Sequence, residues 1–187
     1  MLNHLPTPSM WPEDLLDESV EDFSDPDLRW WVMYTKSRQE KALARDLFGH
    51  QINFYLPLVR HTKIYGRRKI HTDEPVFAGY LFMYGTEDQR VDSLKTNRIS
   101  RILDVLDPQA LRSDLSQLRQ LIASNAPLTV ESRIRPGNRV RIKRGQLAGL
   151  EGTVLYRRGE TRILIQVDFL QQGASIAIDD YLLEPIG

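Results

Sequence analysis

Basic side chains are concentrated in one short stretch of the sequence, residues 60–71. Two strand-like segments flank a Tyr-Gly-Arg-Arg turn there, so the stretch predicts a projecting β-hairpin. Exposed Arg and Lys side chains on such an arm suit electrostatic contacts with the phosphates of a nucleic acid. The candidate phosphate contacts near its tip are Arg67, Arg68 and Lys69.

The same stretch contains His61 and His71, which open the alternative of a metal site. A zinc site needs three or four protein ligands, and no third His and no Cys lies nearby. The sequence also shows no Ser/His/Asp, Cys/His or paired-carboxylate motif that would carry catalysis. We therefore expect no metal, no cofactor and no enzymatic activity.

The formal net charge of zero conceals an asymmetry along the chain. Residues 1–28 hold eight acidic side chains, four prolines and no Lys or Arg, a composition typical of a disordered tail. Residues 29–187 consequently carry an excess of eight positive charges, which suits a polyanionic partner. No apolar run reaches the roughly 18 residues of a membrane span, so we expect a cytoplasmic protein. We also expect the protein to be a monomer.

Two stretches, residues 30–35 and 75–84, are apolar on both faces of the strands that they predict. At the two-residue period of a strand, Leu81 and Met83 point one way while Tyr80 and Phe82 point the other. The predicted helices are too few to cover both faces of a sheet built on these strands. The sequence therefore predicts that the two strands are neighbours and that the aromatic face docks a second protein.

A helix is predicted after the first of these strands. Ser37 followed by Glu40 is a capping-box signature, and an apolar stripe continues to Gly49. The opposite side of this helix is basic and is either a solvated face or a second nucleic-acid contact; its residues, with the preceding lysine, are Lys36, Arg38, Lys41 and Arg45.

Further patterns complete a first domain over residues 29–123: a helix at 88–95, a strand at 99–105 and a helix at 108–123. Residues 124–136 lack a dominant period and contain two prolines, which predicts a flexible linker. Five short strand patterns follow in residues 137–187 and predict a small barrel.

Several local motifs occur in one order over about 155 residues, and together they resemble the NusG family of transcription elongation and antitermination factors. The motifs are Trp30-Trp31-Val32-Met33-Tyr34-Thr35-Lys36, Tyr55-Leu56-Pro57, the run from Glu74 to Phe82, the run from Pro136 to Ile142, and Gly145, Gly149 and Gly152-Thr153-Val154. The last group is similar to a KOW motif.

The resemblance implies an α+β chain with two folded domains. The first is a NusG-type α/β sandwich, a ferredoxin-like antiparallel sheet with helices, that binds the clamp helices of RNA polymerase. The second is a five-stranded SH3-like KOW β-barrel that recruits a ribosomal protein or Rho. One branch of the family, typified by RfaH, folds this segment as a helical hairpin, but the glycines and β-branched runs here favour strands.

The resemblance also assigns candidate site residues. The polymerase surface falls on Val32, Tyr80, Phe82 and Val105, to which strand geometry adds Tyr34 and Phe77; the alternative is that these residues only fill the core. The loop Thr96-Asn97-Arg98 corresponds to one that approaches DNA of the transcription bubble, beside contacts of the basic residues with upstream duplex. The barrel would expose a partner patch made of Leu150, Phe169 and Leu170.

The implied function is a transcription factor that rides on RNA polymerase and suppresses pausing or termination. A different class stays open, because KOW domains also occur in RNA-binding and ribosome-associated proteins. An aromatic docking face beside a basic hairpin favours the first class. The position Ala78, where the family usually has proline, departs from the pattern in the turn before the aromatic strand.

Overall fold

The computed structural model describes residues 7–17, 25–132 and 137–186 of the chain. The chain divides into two compact units, Met1–Pro108 and Gln109–Gly187. The predicted domain boundary at residue 123 differs from this division, because the structure groups the helix that begins at Pro108 with the second unit. Across the described ranges the fold is mixed α/β, with antiparallel sheets and three α-helices.

The first unit contains a five-stranded antiparallel sheet in the order β1-β3-β6-β2-β7, with β4 and β5 forming a separate hairpin. Its elements are β1 (Met10–Trp11), β2 (Arg29–Thr35), α1 (Glu40–Gly49), β3 (Asn53–Tyr55), β4 (Leu58–Tyr65), β5 (Arg68–Pro75), β6 (Tyr80–Gly85), α2 (Glu87–Leu94) and β7 (Ile99–Asp104). The two apolar stretches are thus the paired central strands β2 and β6, which confirms that they are neighbours.

One face of this sheet carries the core of the first unit. Met33 pairs with Leu81, and both are buried in a cluster that includes Met83 and the α1 residues Leu43 and Leu47. This is the helix-covered face that strand periodicity predicted for Leu81 and Met83. The hydroxyl of Ser93 in α2 points at the same face, toward the sulfur of Met33 at 3.9 Å.

Helix α1 does not begin with the predicted capping box. No side-chain cap bonds its first turn, and Oε1 of the buried Glu40 instead accepts a hydrogen bond from the N–H of Gly79 at 2.6 Å. The carboxylate therefore holds the start of α1 to the turn before β6. A capping box does occur in α2, where the Thr86 hydroxyl and the Gln89 side chain bond each other's backbone.

The prediction that residues 1–28 form a disordered tail is wrong for residues 7–17. Strand β1 pairs with β3, and Trp11 contacts Phe48 edge-on with ring centroids 5.1 Å apart. The N–H of Leu56 donates to the carbonyl of Ser9 at 2.6 Å. Pairing and apolar burial together hold a segment that composition alone marks as unfolded. Residues 25–28 form a turn in which the N–H of Leu28 donates to the carbonyl of Asp25 at 3.2 Å. Residues 1–6 and 18–24 of the predicted tail lie outside the described residues.

The second unit is a helix followed by a six-stranded antiparallel sheet in the order β13-β9-β10-β11-β12-β8. Its elements are α3 (Pro108–Ala123), β8 (Thr129–Glu131), β9 (Arg139–Ile142), β10 (Glu151–Arg157), β11 (Glu160–Val167), β12 (Gln172–Ala177) and β13 (Leu183–Pro185), with short 3₁₀ turns at Asp168–Leu170 and Asp180–Leu182. Five of these strands fall where the sequence predicted strands, and no described residue from 137 to 167 is helical.

Strand β8 was not predicted, because its residues were assigned to the flexible linker 124–136. Its pairing with β12 is reinforced by Arg162, which is only 9% exposed. The Arg162 guanidinium donates to the hydroxyls of Ser175 at 3.0 Å and Thr129 at 2.9 Å, and the Ser175 hydroxyl donates to Glu131 at 2.8 Å. This network ties part of the expected linker to the sheet. Residues 133–136 lie outside the described residues.

The glycines of the second unit have two different roles. Gly145 and Gly149 adopt positive φ angles of 97° and 87°, which turns require and which other residues rarely adopt. Gly152, in contrast, lies inside β10 and not in a turn. A Cβ atom there would sit 2.4 Å from the carbonyl oxygen of Leu164 on the neighbouring strand. Glycine at 152 therefore permits close approach of two backbones.

Candidate functional site

The predicted basic hairpin is present as β4 and β5, which pair in register from Leu58↔Pro75 to Tyr65↔Arg68. Gly66 supplies the positive φ of the tip. Every residue from 60 to 71 is exposed, including Ile64 and Tyr65 at 67% and 61%. Such exposure of large apolar side chains means that the arm projects from the sheet instead of packing on it.

Charges along this hairpin are distributed unevenly. At its base, Arg60 donates to Asp73 at 3.0 Å, and this hydrogen bond and the carboxylate charge raise the pKa of Arg60. Lys63 lies 4.0 Å from Glu74. Nearer the tip, Arg67, Arg68 and Lys69 have no carboxylate within ion-pair distance in the described part of the chain. The free positive charge of the hairpin therefore lies at its tip, as a phosphate contact requires.

The two histidines of the hairpin are engaged separately. His71 is within 3.0 Å of the Thr62 hydroxyl, and His61 is 3.8 Å from a carboxylate oxygen of Glu74. Among residues 7–17, 25–132 and 137–186, no three His, Asp or Glu side chains are grouped so that they could hold a metal ion.

The aromatic face lies opposite the core face of the first sheet. Val32 pairs with Phe82 and Tyr34 with Tyr80, so four of the predicted polymerase-binding residues lie side by side. The rings of Tyr34 and Tyr80 are 5.1 Å apart, and the guanidinium of Arg101 lies 5.9 Å from the Tyr34 ring centroid. The sequence correctly grouped these side chains on one face.

The predicted polymerase-binding residues differ in how far they are buried. Val32 and Phe82 are 0% exposed and Phe77 is 1% exposed, while Tyr34, Tyr80 and Val105 are half-buried. Strand periodicity identifies which side chains share a face, but it does not say what lies on that face. Only Tyr34, Tyr80 and Val105 of the six predicted residues are therefore partly accessible.

The basic side chains near α1 are partly committed to internal contacts. Lys36 donates to the Asn97 side chain at 2.7 Å, and Arg45 donates to the Thr7 hydroxyl at 3.1 Å. Arg38 is exposed and Lys41 is half-buried. The structure thus brings Lys36 and Asn97 together, although 61 positions separate them in the sequence.

The loop that was predicted to approach DNA is anchored to α1. The Arg98 guanidinium forms an ion pair with Asp46 and donates to the Gln39 side chain at 2.7 Å. The Thr96 hydroxyl donates to the carbonyl of Ser93 at 2.7 Å. Arg98 is therefore a structural link between α1 and the loop, which the sequence did not reveal, and only Asn97 of the three loop residues is exposed.

The predicted partner patch of the second unit is also less exposed than expected. Leu150 is 1% exposed, and Phe169 and Leu170 in the 3₁₀ turn after β11 are half-buried. The prediction that Leu150 is presented at the surface is wrong for this structure. The neighbouring backbone N–H groups of Glu151 and Asp168 donate hydrogen bonds to side chains of α3.

Comparison with known protein families identifies a matching family model. The family model described as "Transcription termination factor nusG" matches residues 28–119. This chain carries a NusG-family domain. The matched segment includes strands β2 to β7, and therefore the hairpin and the aromatic face, and it ends inside α3.

Beyond this match to the NusG family, the comparisons add little. A solved structure entitled "Crystal Structure of MjSpt4:Spt5 complex conformation B" is similar at 16% identity, with 85% of this chain and 97% of that chain covered. The TM-score is 0.28, which is too low to support a conclusion about this chain. The search of curated proteins gave no significant match. No helix in the described ranges is long and apolar enough to cross a bilayer.

Proposed function

We infer that this protein is a transcription elongation and antitermination factor that binds the clamp helices of RNA polymerase. The observation that carries the proposal is the NusG-family match over residues 28–119, since it coincides with the segment that builds both the aromatic face and the free basic tip. On this proposal the aromatic face binds polymerase, the hairpin contacts DNA, and the second unit recruits a further factor through a KOW barrel.

The burial of the aromatic face affects the expected affinity. When a site is accessible in only a fraction of the molecules, its apparent dissociation constant equals the intrinsic constant divided by that fraction. On this proposal, contact with Val32 and Phe82 requires a state in which they are uncovered, whereas Tyr34 and Tyr80 are already partly accessible. The affinity of the resting chain is set by the free energy of that opening as well as by the interface itself.

Capture of RNA polymerase from the source cell by the tagged full-length chain tests the proposal. Tyr80→Ala should weaken the captured complex by about 1 to 3 kcal/mol, because aromatic side chains near the centre of an interface contribute that much. Tyr156→Ala is the matched control, since Tyr156 is 77% exposed and lies in the second unit. Equal capture by both variants would exclude the aromatic face as the polymerase site.

The same capture separates this function from the alternative that the sequence left open. An RNA-binding or ribosome-associated KOW protein would retain ribosomal subunits or RNA and no polymerase. In that case Tyr80→Ala would not change what the chain captures, while binding to RNA would still weaken with rising salt.

The hairpin tip yields a separate prediction about DNA. Replacing Arg67, Arg68 and Lys69 by glutamine should flatten the salt dependence of DNA affinity, with each lost phosphate contact lowering the slope by about 0.7 to 0.9. The measurement is a titration of a duplex with an unpaired bubble at several salt concentrations. Arg98→Gln is the control, because Arg98 is already paired with Asp46 and should leave the slope unchanged. A slope that the triple variant leaves unaltered would remove the hairpin from the DNA interface.

A further inference from the structure

A short segment of the chain connects helix α3 to the sheet of the second unit. It ends at Ala123, and β8 begins at Thr129 and is bonded into the sheet. The intervening residues 124–128 can span at most roughly 20 Å. The family match ends at residue 119, within α3. Most of the helix therefore belongs to the matched segment, although the structure groups it with the second unit.

Two side chains on one side of α3 bond backbone N–H groups of the second unit. The N–H of Glu151, the first residue of β10, donates to Oε1 of Gln117 at 3.0 Å. The N–H of Asp168, directly after β11, donates to Oδ2 of Asp114 at 3.0 Å. Residues three apart lie on the same side of a helix, so both acceptors reach the sheet together.

The two donors mark the place where the helix lies. Glu151 follows Leu150 and Asp168 precedes Phe169, and these are the residues of the predicted partner patch. Leu150 is buried, and so is Leu121, one helical turn after Gln117. The hydrogen bonds therefore hold α3 beside the patch.

We propose that α3 is the resident occupant of the partner patch and that a recruited factor must displace it. The site then consists of two backbone N–H donors, of Glu151 and Asp168, next to the apolar residues Leu150 and Phe169. It takes a segment that presents two carboxylate or amide oxygens beside an apolar side chain, as α3 does. The recruiting role of the patch rests on the proposed function, whereas the occupancy by α3 rests on the hydrogen bonds.

The test uses the full-length chain and a synthetic peptide of residues 107–125 as the probe. Gln117→Ala removes one acceptor, and Gln120→Ala, on the exposed side of the same helix, is the matched control. The amide of Glu151 should exchange with solvent about two- to tenfold faster in the Gln117→Ala chain than in the control, as the loss of one hydrogen bond predicts. Gln117→Glu keeps an acceptor oxygen and should restore protection.

The peptide reports occupancy directly. It should bind the Gln117→Ala chain about two- to tenfold more tightly than the wild-type or Gln120→Ala chains, with amide shift changes at Leu150, Glu151 and Asp168. Equal exchange and equal peptide binding in all three chains would overturn the proposal. Peptide binding without shift changes at these three amides would overturn it too, because the peptide would then bind at another place. Neither amide exchange nor peptide binding depends on polymerase capture, which tests the proposed function. The two proposals can therefore fail independently.

Discussion

Truncation of Leu81 to alanine should lower the free energy of unfolding of the first unit by about 2 to 5 kcal/mol. Leu81 is 0% exposed and lies in the cluster that joins β6 to α1, so its loss leaves a cavity that the helix cannot fill. Denaturant titration followed by tryptophan fluorescence measures this, because all three tryptophans, Trp11, Trp30 and Trp31, belong to the first unit. Polymerase capture should fall only as far as the unfolded fraction rises.

The adjacent residue supplies the contrast. Tyr80 faces the other side of the sheet and is half-buried, so Tyr80→Ala should reduce capture while costing less stability than Leu81→Ala. Phe82→Ala is a poor substitute for it, since Phe82 is 0% exposed and its removal would destabilise the fold as well. If Tyr80→Ala unfolds the unit and Leu81→Ala does not, the two faces of β6 are assigned the wrong way round.

The second large effect is expected at a single glycine. Gly152→Ala should destabilise the second sheet by about 1 to 3 kcal/mol or more, because a methyl group 2.4 Å from the Leu164 carbonyl oxygen forces β10 and β11 apart. Amide exchange of β10, β11 and β12 measures the loss. Gly49→Ala is the control: a Cβ atom there has no neighbour within 4 Å, so stability should be almost unchanged.

Wild-type stability of the second sheet in the Gly152→Ala chain would contradict this expectation. If the Gly152→Ala chain showed wild-type exchange rates in β10 and β11, the close approach of the two strands would be absent in solution. Tryptophan fluorescence should be the same in both glycine variants, since neither substitution touches the aromatic residues of the first sheet.

The sequence predicted best where a regular period and burial agree. The two-sided apolar runs of β2 and β6 predicted their pairing, and the alternation of Leu81 with Tyr80 predicted which side faces α1. The hairpin was predicted by its turn and its charges. In each case local pattern and tertiary contact favour the same structure, so the pattern is sufficient.

Other features depend on contacts that no local pattern contains. Met10 and Trp11 form too short a strand to show a period, and their order comes from pairing with β3. The spacing of Glu40 fits a capping box, yet its carboxylate accepts a hydrogen bond from the N–H of Gly79, which is distant in sequence. Arg98 reads as a free cation until its pairing with Asp46 is seen. These outcomes depend on tertiary geometry, which spacing along the chain does not encode.

The same limit applies to the functional surfaces. Sequence reasoning placed Val32, Tyr34, Tyr80 and Phe82 on one face and grouped Leu150 with Phe169. It expected both groups to bind partners, and it kept core filling as the alternative for the first group. Exposure depends on what packs over a face, and the buried Val32, Phe82 and Leu150 could not be recognised as such from their own neighbours in the chain.

The pairing of β8 with β12 decides where the protein can be cut. A C-terminal fragment starting at Gly137, the boundary that the sequence predicts, would leave one edge of β12 without its partner strand and Arg162 without the Thr129 hydroxyl. An unpaired outer strand recruits strands from other molecules, so this fragment should be prone to aggregate. Truncations that begin before Thr129 keep the last strand of the sheet in place and are the ones suited to work on the isolated second unit.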